Sequence, residues 1–284
     1  AAISILTTFG ILFSILFEAI EFFKLRSFWY FITGTTWSPG VIDSQFGALP
    51  IFAGTFVITV IALGVAIPIG LGSAIYMSEY ASPKLRDYLK PLLEVLAGIP
   101  SVVYGFFAAI TVAPLVVKIA EAIGLEATFN SALASGVVMG IMIIPTISSL
   151  SDDVIRSVPD SQRKASFGLG MTHGETIRDI VLPSAMPGII SASLLALSKA
   201  LGETMVVVMA AGLRPNLSWN PLEDMTTVTV TIVNALVGDF EFSSPETLSA
   251  FALGLVLFVV TLILNMISLS LIRKFKEKYK VNTL

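Results

Sequence analysis

The sequence SDDVIRSVPDSQRKASFGLGMTHGETIRDIVLPSA, residues 151–185, separates two long apolar runs of the chain, roughly 129–150 and 186–212. Each run supplies the roughly 20 apolar residues that a helix needs to cross the hydrocarbon core of a bilayer. Other runs of this kind lie at roughly 1–23, 50–78, 91–117 and 247–272. The pattern predicts an all-α integral membrane protein with six transmembrane helices.

The composition of the 284-residue chain excludes several other classes of protein. Apolar residues make up 55% of it and charged residues 13%, against about 25% charged in a typical soluble domain. It has no cysteine, a single histidine (His173) and no Gly-Lys dipeptide. These absences exclude zinc–thiolate sites, paired-histidine metal sites and a Walker A loop. The net charge of −3 does not indicate nucleic acid as a partner. We therefore expect no catalytic site and no metal site in this chain.

Lysine and arginine are distributed unevenly over the loops. One set of segments holds 12 of the 17 basic residues and the other set holds four, with Lys199 inside a span. The richer set is 79–90, 151–185 and 273–284, and the poorer set is 24–49, 118–128 and 213–246. The positive-inside rule assigns the richer set to the cytoplasm. A single multi-pass membrane domain over residues 1–284, with both termini cytoplasmic, is predicted.

The polar stretch 151–185 is predicted to form two short helices. Pro159 marks the start of the first, with Asp160 or Ser161 as its cap; it would run from 161 to 169 and stop at Gly170. Thr172, with Glu175 three residues later, forms a capping box at the start of the second. That helix is expected to end at Leu182, before Pro183. The pair would form a compact hairpin on the inner side.

This stretch resembles the E-A-A-x3-G-x9-I-x-L-P loop of ABC importer permeases. Lys164-Ala165-Ser166, Gly170 and Ile180-x-Leu182-Pro183 match both spacings, with Lys for the Glu and Ser for the second Ala. In that family the loop is the coupling helix that contacts the ATPase subunit. The resemblance implies an ATPase-coupling role for Lys164, Ala165, Gly168, Gly170, Met171, Thr172, Leu182 and Pro183.

Further segments are similar to the phosphate-specific permeases of the PstC/PstA type. They are Phe46–Pro50 with Gly54-Thr55, Leu96–Gly105, and Lys199–Met205, where Lys replaces the Arg of R-A-L-G-E-T-M. The loop Trp37-Ser38-Pro39 favours PstC over PstA. The resemblance implies the type I ABC importer permease fold and a place in the cell membrane of a prokaryote. It also implies ATPase subunits that bind ATP and Mg, an extracytoplasmic phosphate-binding protein and a sister permease. The resemblance implies that this chain pairs with the sister permease as a heterodimer, and a homodimer is the alternative. It implies no cofactor in this chain itself.

Two charged residues are predicted to lie inside the fifth span. Lys199 is about twelve residues, or about 18 Å, into it, and Glu203 is one turn further on the same helix face. A charge at that depth costs at least about 2.5–3.5 kcal/mol and should face a partner or water. Either the two residues form an ion pair that holds the packing, or they line a substrate path, as the resemblance implies. Ser101, Tyr104 and Thr204 would line the same path, or serve helix packing alone.

These features together predict a non-catalytic permease subunit that imports inorganic phosphate by alternating access. A permease of the same type for molybdate, tungstate or sulfate is an alternative. An ATP-independent transporter or channel is a further one, which would not need a capped hairpin on its inner face. The aromatic and acidic outer loops, with Trp29, Trp219 and Glu223, are either an interfacial belt or a docking surface for the extracytoplasmic partner.

Overall fold

A computed structural model of the chain describes residues 2–40, 44–237 and 243–278, apart from the side chains of 2 and 275–278. The predicted basic tail residues Lys276, Lys278 and Lys280 lie outside the described side chains. The α-helices of the described part are α1 (Ala2–Leu25), α2 (Phe28–Thr33), α3 (Leu49–Ile75), α4 (Pro83–Ala97), α5 (Ser101–Phe107), α6 (Ala113–Ala122), α7 (Ala132–Arg156), α8 (Asp160–Gly168), α9 (His173–Thr176), α10 (Leu182–Leu201), α11 (Met205–Ala210), α12 (Val228–Val237) and α13 (Pro245–Lys278). Strands β1 (Trp37–Ser38) and β2 (Gln45–Phe46) form an antiparallel pair.

Two π-helical turns connect consecutive helices without a break, Ala108–Val112 between α5 and α6 and Ile177–Val181 between α9 and α10. A third, Tyr76–Tyr80, extends α3 and ends at Ala81. Six helices of the described part are therefore long and apolar enough to cross a membrane. They are numbered as the first to sixth spans: Ile3–Leu25, Leu49–Tyr80, Ser101–Ala122, Ala132–Arg156, His173–Leu201 and Pro245–Lys274. The predicted all-α architecture with six transmembrane helices is confirmed.

The third span begins ten residues later than the predicted start at 91. Residues 91–97 belong instead to α4, a separate amphipathic helix in which no residue is buried. Gly98 ends α4, its N–H donating to the carbonyls of Glu94 and Val95 at 3.2 and 3.1 Å. Pro100 then keeps the preceding residue out of the helical region, so a new helix starts at Ser101.

The fifth span is shifted in the opposite direction, because the expected break before Pro183 is wrong. Leu182 keeps helical angles, φ −63° and ψ −45°, and its N–H donates to the carbonyl of Ile177 across the π-helical turn. The wider turn accommodates the proline ring, which would clash in a regular α-helix. The helix of the loop thus runs directly into the span, which ends at Leu201 and not near 212.

The chain divides into two compact units, and the first comprises Ala1–Val60, Ser101–Val138 and Leu201–Leu262. Its described core includes an aromatic cluster in which Phe22 meets Phe31 and Phe46 edge to face, with ring centroids 5.4 and 5.5 Å apart. The short β1–β2 hairpin adds Trp37 to this cluster. The sequence analysis did not predict these strands, because two residues each give no alternating pattern.

The second unit comprises Ile61–Pro100, Met139–Ala200 and Ile263–Leu284. The second and fourth spans pack closely within it at Gly140, where an added Cβ would lie 2.8 Å from the carbonyl of Ala62. A second core joins the helices of the loop 151–185 to these spans: Ala74, Ile155, Val158, Val181, Ala185 and Ile189 are all buried in it. Packing in this core fixes the loop 151–185 against the spans.

Candidate functional site

The loop 151–185 is a helical hairpin with a glycine turn, as predicted. α8 ends in a Schellman motif in which the N–H of Met171 donates to the carbonyl of Ser166 at 3.3 Å and that of Gly170 to Phe167 at 3.0 Å. Gly170 adopts φ +83°, a left-handed angle that favours glycine. The predicted stop at Gly170 is confirmed. The predicted side-chain cap by Asp160 or Ser161 is wrong, because Pro159 is the N-cap and carries no donor or acceptor in its side chain.

The second helix of the hairpin begins with the predicted capping box. Thr172 accepts from the N–H of Glu175, and the carboxylate of Glu175 accepts from the N–H of Thr172 at 2.8 Å. The two helices are joined by a buried hydrogen bond of 2.8 Å between the hydroxyls of Ser166 and Thr176. Ser166 stands where the family motif has alanine and is only 3% exposed. Its hydroxyl therefore has a partner, which makes the substitution compatible with the hairpin.

Six of the predicted coupling residues, from Lys164 to Thr172, flank the turn of this hairpin, and Leu182 and Pro183 lie at the start of α10. Lys164, Ala165, Gly168, Gly170 and Thr172 are exposed, and Met171, Leu182 and Pro183 are half-buried. Leu169, which the sequence analysis did not single out, is 84% exposed, and Phe167 beside it is also exposed. An apolar side chain held out by a rigid turn is suited to enter a cleft of a partner protein.

Ion pairs connect the helices of the second unit at the end where the hairpin lies. Arg163, next to Lys164, pairs with Glu79 of the second span at 2.8 Å, and His173 lies 3.8 Å from the same carboxylate. Arg86 of α4 pairs with Asp152 of α7 at 2.7 Å. The hydrogen bond to Asp152 raises the pKa of the Arg86 guanidinium above its ordinary value. The sequence analysis missed these pairs, because their members lie 66 to 84 residues apart.

Lys199 lies in the last turn of α10, in the second unit, and is half-buried. It forms no ion pair in the part of the chain that the structure describes. The helix ends at Leu201, so the predicted placement of Glu203 one turn further on the same helix face is wrong. Gly202 is the immediate reason, because glycine is a poor helix former and a common helix terminator.

Glu203 instead holds the start of α11 in the first unit. One carboxylate oxygen accepts from the N–H groups of Met205 and Val206 at 2.9 and 3.2 Å. Its backbone carbonyl accepts from the hydroxyl of Thr229 at 2.8 Å. Thr204, the N-cap residue, makes no side-chain cap. Glu203 therefore satisfies two of the amide groups at the start of α11, just after the break at 202–204, as a broken helix inside a membrane requires.

Ser101 and Tyr104 belong to α5, which packs directly on α11. Gly105 allows this approach, because an added Cβ would lie 2.9 Å from the sulfur of Met209 and 3.0 Å from the carbonyl of Met205. Ser101 and Tyr104 are half-buried, as are Glu203 and Thr204. Four of the five predicted path residues thus lie in the first unit: Ser101, Tyr104, Glu203 and Thr204. The fifth, Lys199, lies in the second unit.

The loop 213–227 of the first unit is ordered by its own polar groups. Glu223 accepts from the side chains of Asn216 and Asn220 at 2.8 and 3.1 Å. Hydrogen bonds from Asn216, Ser218 and Asn220 lower the pKa of Glu223 below its ordinary value. Trp219 is exposed and meets Phe56 edge to face. Among the described residues there is no group of acidic and histidine side chains placed to hold a metal ion.

Comparison with known proteins places these features in a family. Residues 66–277 match the family model described as the binding-protein-dependent transport system inner membrane component. The chain is 36% identical to the phosphate transport system permease protein PstC of Mesorhizobium japonicum over 252 residues, 82% of this chain and 75% of the relative. It is 35% identical to the probable ABC transporter permease protein YqgH of Bacillus subtilis over 251 residues, 88% and 78% of the two chains.

Solved structures show the same fold at lower identity. A bacterial alginate ABC transporter in complex with alginate pentasaccharide-bound periplasmic protein matches with a TM-score of 0.64 at 15% identity, over 94% of this chain and 91% of the other. The inward-facing methionine ABC transporter MetNI matches with a TM-score of 0.57 at 15% identity, over 78% and 93%. The predicted type I permease fold and the resemblance to the PstC type are both confirmed. The chain belongs to the family of binding-protein-dependent transport system inner membrane components and, within it, is a relative of the PstC permeases.

Proposed function

We propose that this chain is a permease subunit of an ATP-driven importer that moves inorganic phosphate into the cytoplasm by alternating access. The observation that carries the proposal is the identity of 36% to a phosphate transport system permease, over most of both chains. The rigid hairpin 151–185 supports an ATP-driven machine, because it presents Leu169 on a turn that is closed at both ends by caps.

The partners follow from this proposal. ATPase subunits would bind the hairpin. They would also bind ATP and Mg, so this chain itself would catalyse no step. An extracytoplasmic phosphate-binding protein would dock on the surface that contains Trp219 and the loop held by Glu223. A sister permease would complete the transmembrane pathway as a heterodimer. Membership of the binding-protein-dependent transport family supports a binding-protein partner in general terms.

Lys199 is proposed as the cation that attracts phosphate inside the membrane. A half-buried lysine with no ion pair among the described residues leaves its charge available to an anion. Lysine acts as a point charge, whereas arginine grips two phosphate oxygens with its planar fork. Lys199→Arg should therefore support uptake, with a changed affinity. Glu203 contributes to the pathway by holding the helix break, through the amides of Met205 and Val206.

Uptake of radiolabelled phosphate into proteoliposomes containing the complete complex tests the substrate. We expect uptake that requires ATP and the binding protein and that excess sulfate, molybdate or tungstate does not inhibit. Inhibition by one of these anions at equal concentration would assign the site to that oxyanion. Uptake without ATP would refute the importer and favour a transporter or channel.

The orientation is proposed to place the hairpin and both termini in the cytoplasm. The chain has no cysteine, so single cysteines report sidedness without further engineering. Lys164 and Trp219 are both exposed. With a membrane-impermeant maleimide, Trp219→Cys is predicted to react in intact cells, and Lys164→Cys only in inverted membrane vesicles. Labelling of both from the same side would refute the six-span topology.

A further inference from the structure

A buried carboxylate lies where the second span meets the coupling hairpin. Glu79 is part of the π-helical turn Tyr76–Tyr80 that ends the span, and its side chain is 6% exposed. Ionised carboxylates are almost never this buried unless a charged partner is present. π-helical turns of this length occur frequently at functional sites. The partners of Glu79 all come from the hairpin.

Arg163 is the main partner and connects three elements. One of its nitrogens is 2.8 Å from the carboxylate of Glu79 and 3.0 Å from the carbonyl of Ile155 in α7. Another donates to the carbonyl of Val158, just beyond α7, and lies 3.5 Å from Asp160. Arg163 itself belongs to α8. The second span, the end of the fourth span and the first hairpin helix therefore share one guanidinium.

His173 brings the second hairpin helix to the same carboxylate. Its Nε2 is 3.8 Å from Glu79, and its ring meets Tyr80 edge to face at 5.1 Å between centroids. On the hairpin side its ring stacks on Phe167 at 6.3 Å. The charged and titratable groups around His173 are thus Glu79 and Tyr80 of the second span and Arg163 of α8. On its own helix, Glu175 is already bound to Thr172.

We propose that Glu79 is the positioning residue through which the coupling hairpin moves the second span. The inference rests on the proposed function, since only a partner ATPase would move the hairpin. Residues of both hairpin helices contact the carboxylate of Glu79. A displacement of either helix should therefore displace the end of the second span. At this joint between hairpin and span, Arg163 supplies the cation that faces the carboxylate, and the ring of His173 lies beside it.

The test compares two carboxylates of similar burial in the assembled complex. Glu79→Gln removes the charge at the joint. Asp152→Asn is the matched control: Asp152 is fully buried and pairs with Arg86 at 2.7 Å, but it joins α4 to α7 of the fourth span and not to α8 or α9, the two helices of the hairpin. The readout is phosphate transported per ATP hydrolysed, with the yield and thermal stability of the complex measured beside it.

We expect Glu79→Gln to lower the phosphate-to-ATP ratio by about tenfold or more while ATP hydrolysis continues, within the usual range of coupling between sites. Glu79→Asp should restore part of the ratio, because it restores the charge. Asp152→Asn should keep the parent ratio, even where stability falls. Equal ratios in Glu79→Gln and the parent would overturn the proposal, and so would equal losses in Glu79→Gln and Asp152→Asn. A parent complex that does not transport phosphate would instead refute the proposed function.

Discussion

Replacing Gly170 by valine should open the turn of the coupling hairpin without a steric clash. Gly170 has φ +83°, and an added Cβ there would have no atom within 4 Å. The substitution is therefore opposed by the backbone conformation alone. Two hydrogen bonds of the Schellman motif, from Gly170 and Met171, depend on that conformation.

The magnitude follows from the cost of the left-handed region. A residue with a Cβ pays about 1–2 kcal/mol there, and a β-branched residue is at the upper end. Because 1.4 kcal/mol is a factor of ten, the equilibrium for local opening of the turn should rise about 5- to 30-fold. Gly168→Val is the matched control. Gly168 lies in the last turn of α8 with no positive φ and with equally open space, so valine there should be nearly neutral.

Hydrogen exchange of the amides of Gly170 and Met171 in the assembled complex measures this opening directly. Exchange should accelerate by the predicted factor in Gly170→Val and stay at the parent rate in Gly168→Val. The phosphate transported per ATP should fall in the first variant only. Equal exchange rates in the two variants would refute the argument from backbone conformation. Normal coupling despite faster exchange would refute the assignment of the hairpin as the coupling element.

Three more changes have distinct expected outcomes. Lys199→Ala should abolish phosphate uptake and leave the complex assembled, as seen by size-exclusion chromatography; loss of assembly would support a packing role. Gly105→Leu should destabilise the complex by about 1–3 kcal/mol through overpacking, because its side chain would meet Met205 and Met209, and a thermal melt measures this. The lowered pKa of Glu223 means that its hydrogen bonds stabilise the loop 213–227 at neutral pH and lose this effect as the pH falls below about 4. Limited proteolysis of that loop should therefore rise with acidification in the parent but not in Glu223→Gln.

The features that the sequence predicted correctly are local or strongly periodic. Six long apolar runs predict six spans, because span length is fixed by bilayer thickness. The cap at Thr172 and the stop at Gly170 are defined by residues within one turn of the helix end. Such signals depend on few residues that are close in the chain, so the hairpin was predictable in detail.

The features that were missed depend on structure beyond the local sequence. Pro183 was expected to end a helix, but the π-helical turn before it runs on into α10 without a break. Glu203 was assigned to the helix of Lys199, because a single Gly202 in an apolar run is a weak stop signal. The ion pair between Glu79 and Arg163 connects residues that are 84 positions apart, and nothing in either segment indicates the other.

The measurement that tests the central claim most directly is the ATPase activity of the reconstituted complex with its binding protein, with and without phosphate. Sulfate and molybdate serve as the control anions. The account predicts stimulation by phosphate alone and loss of that stimulation in Gly170→Val. Stimulation by sulfate or molybdate instead of phosphate would contradict the proposed substrate. Failure of any ATPase subunit to associate with the chain would contradict the coupling role of the hairpin itself.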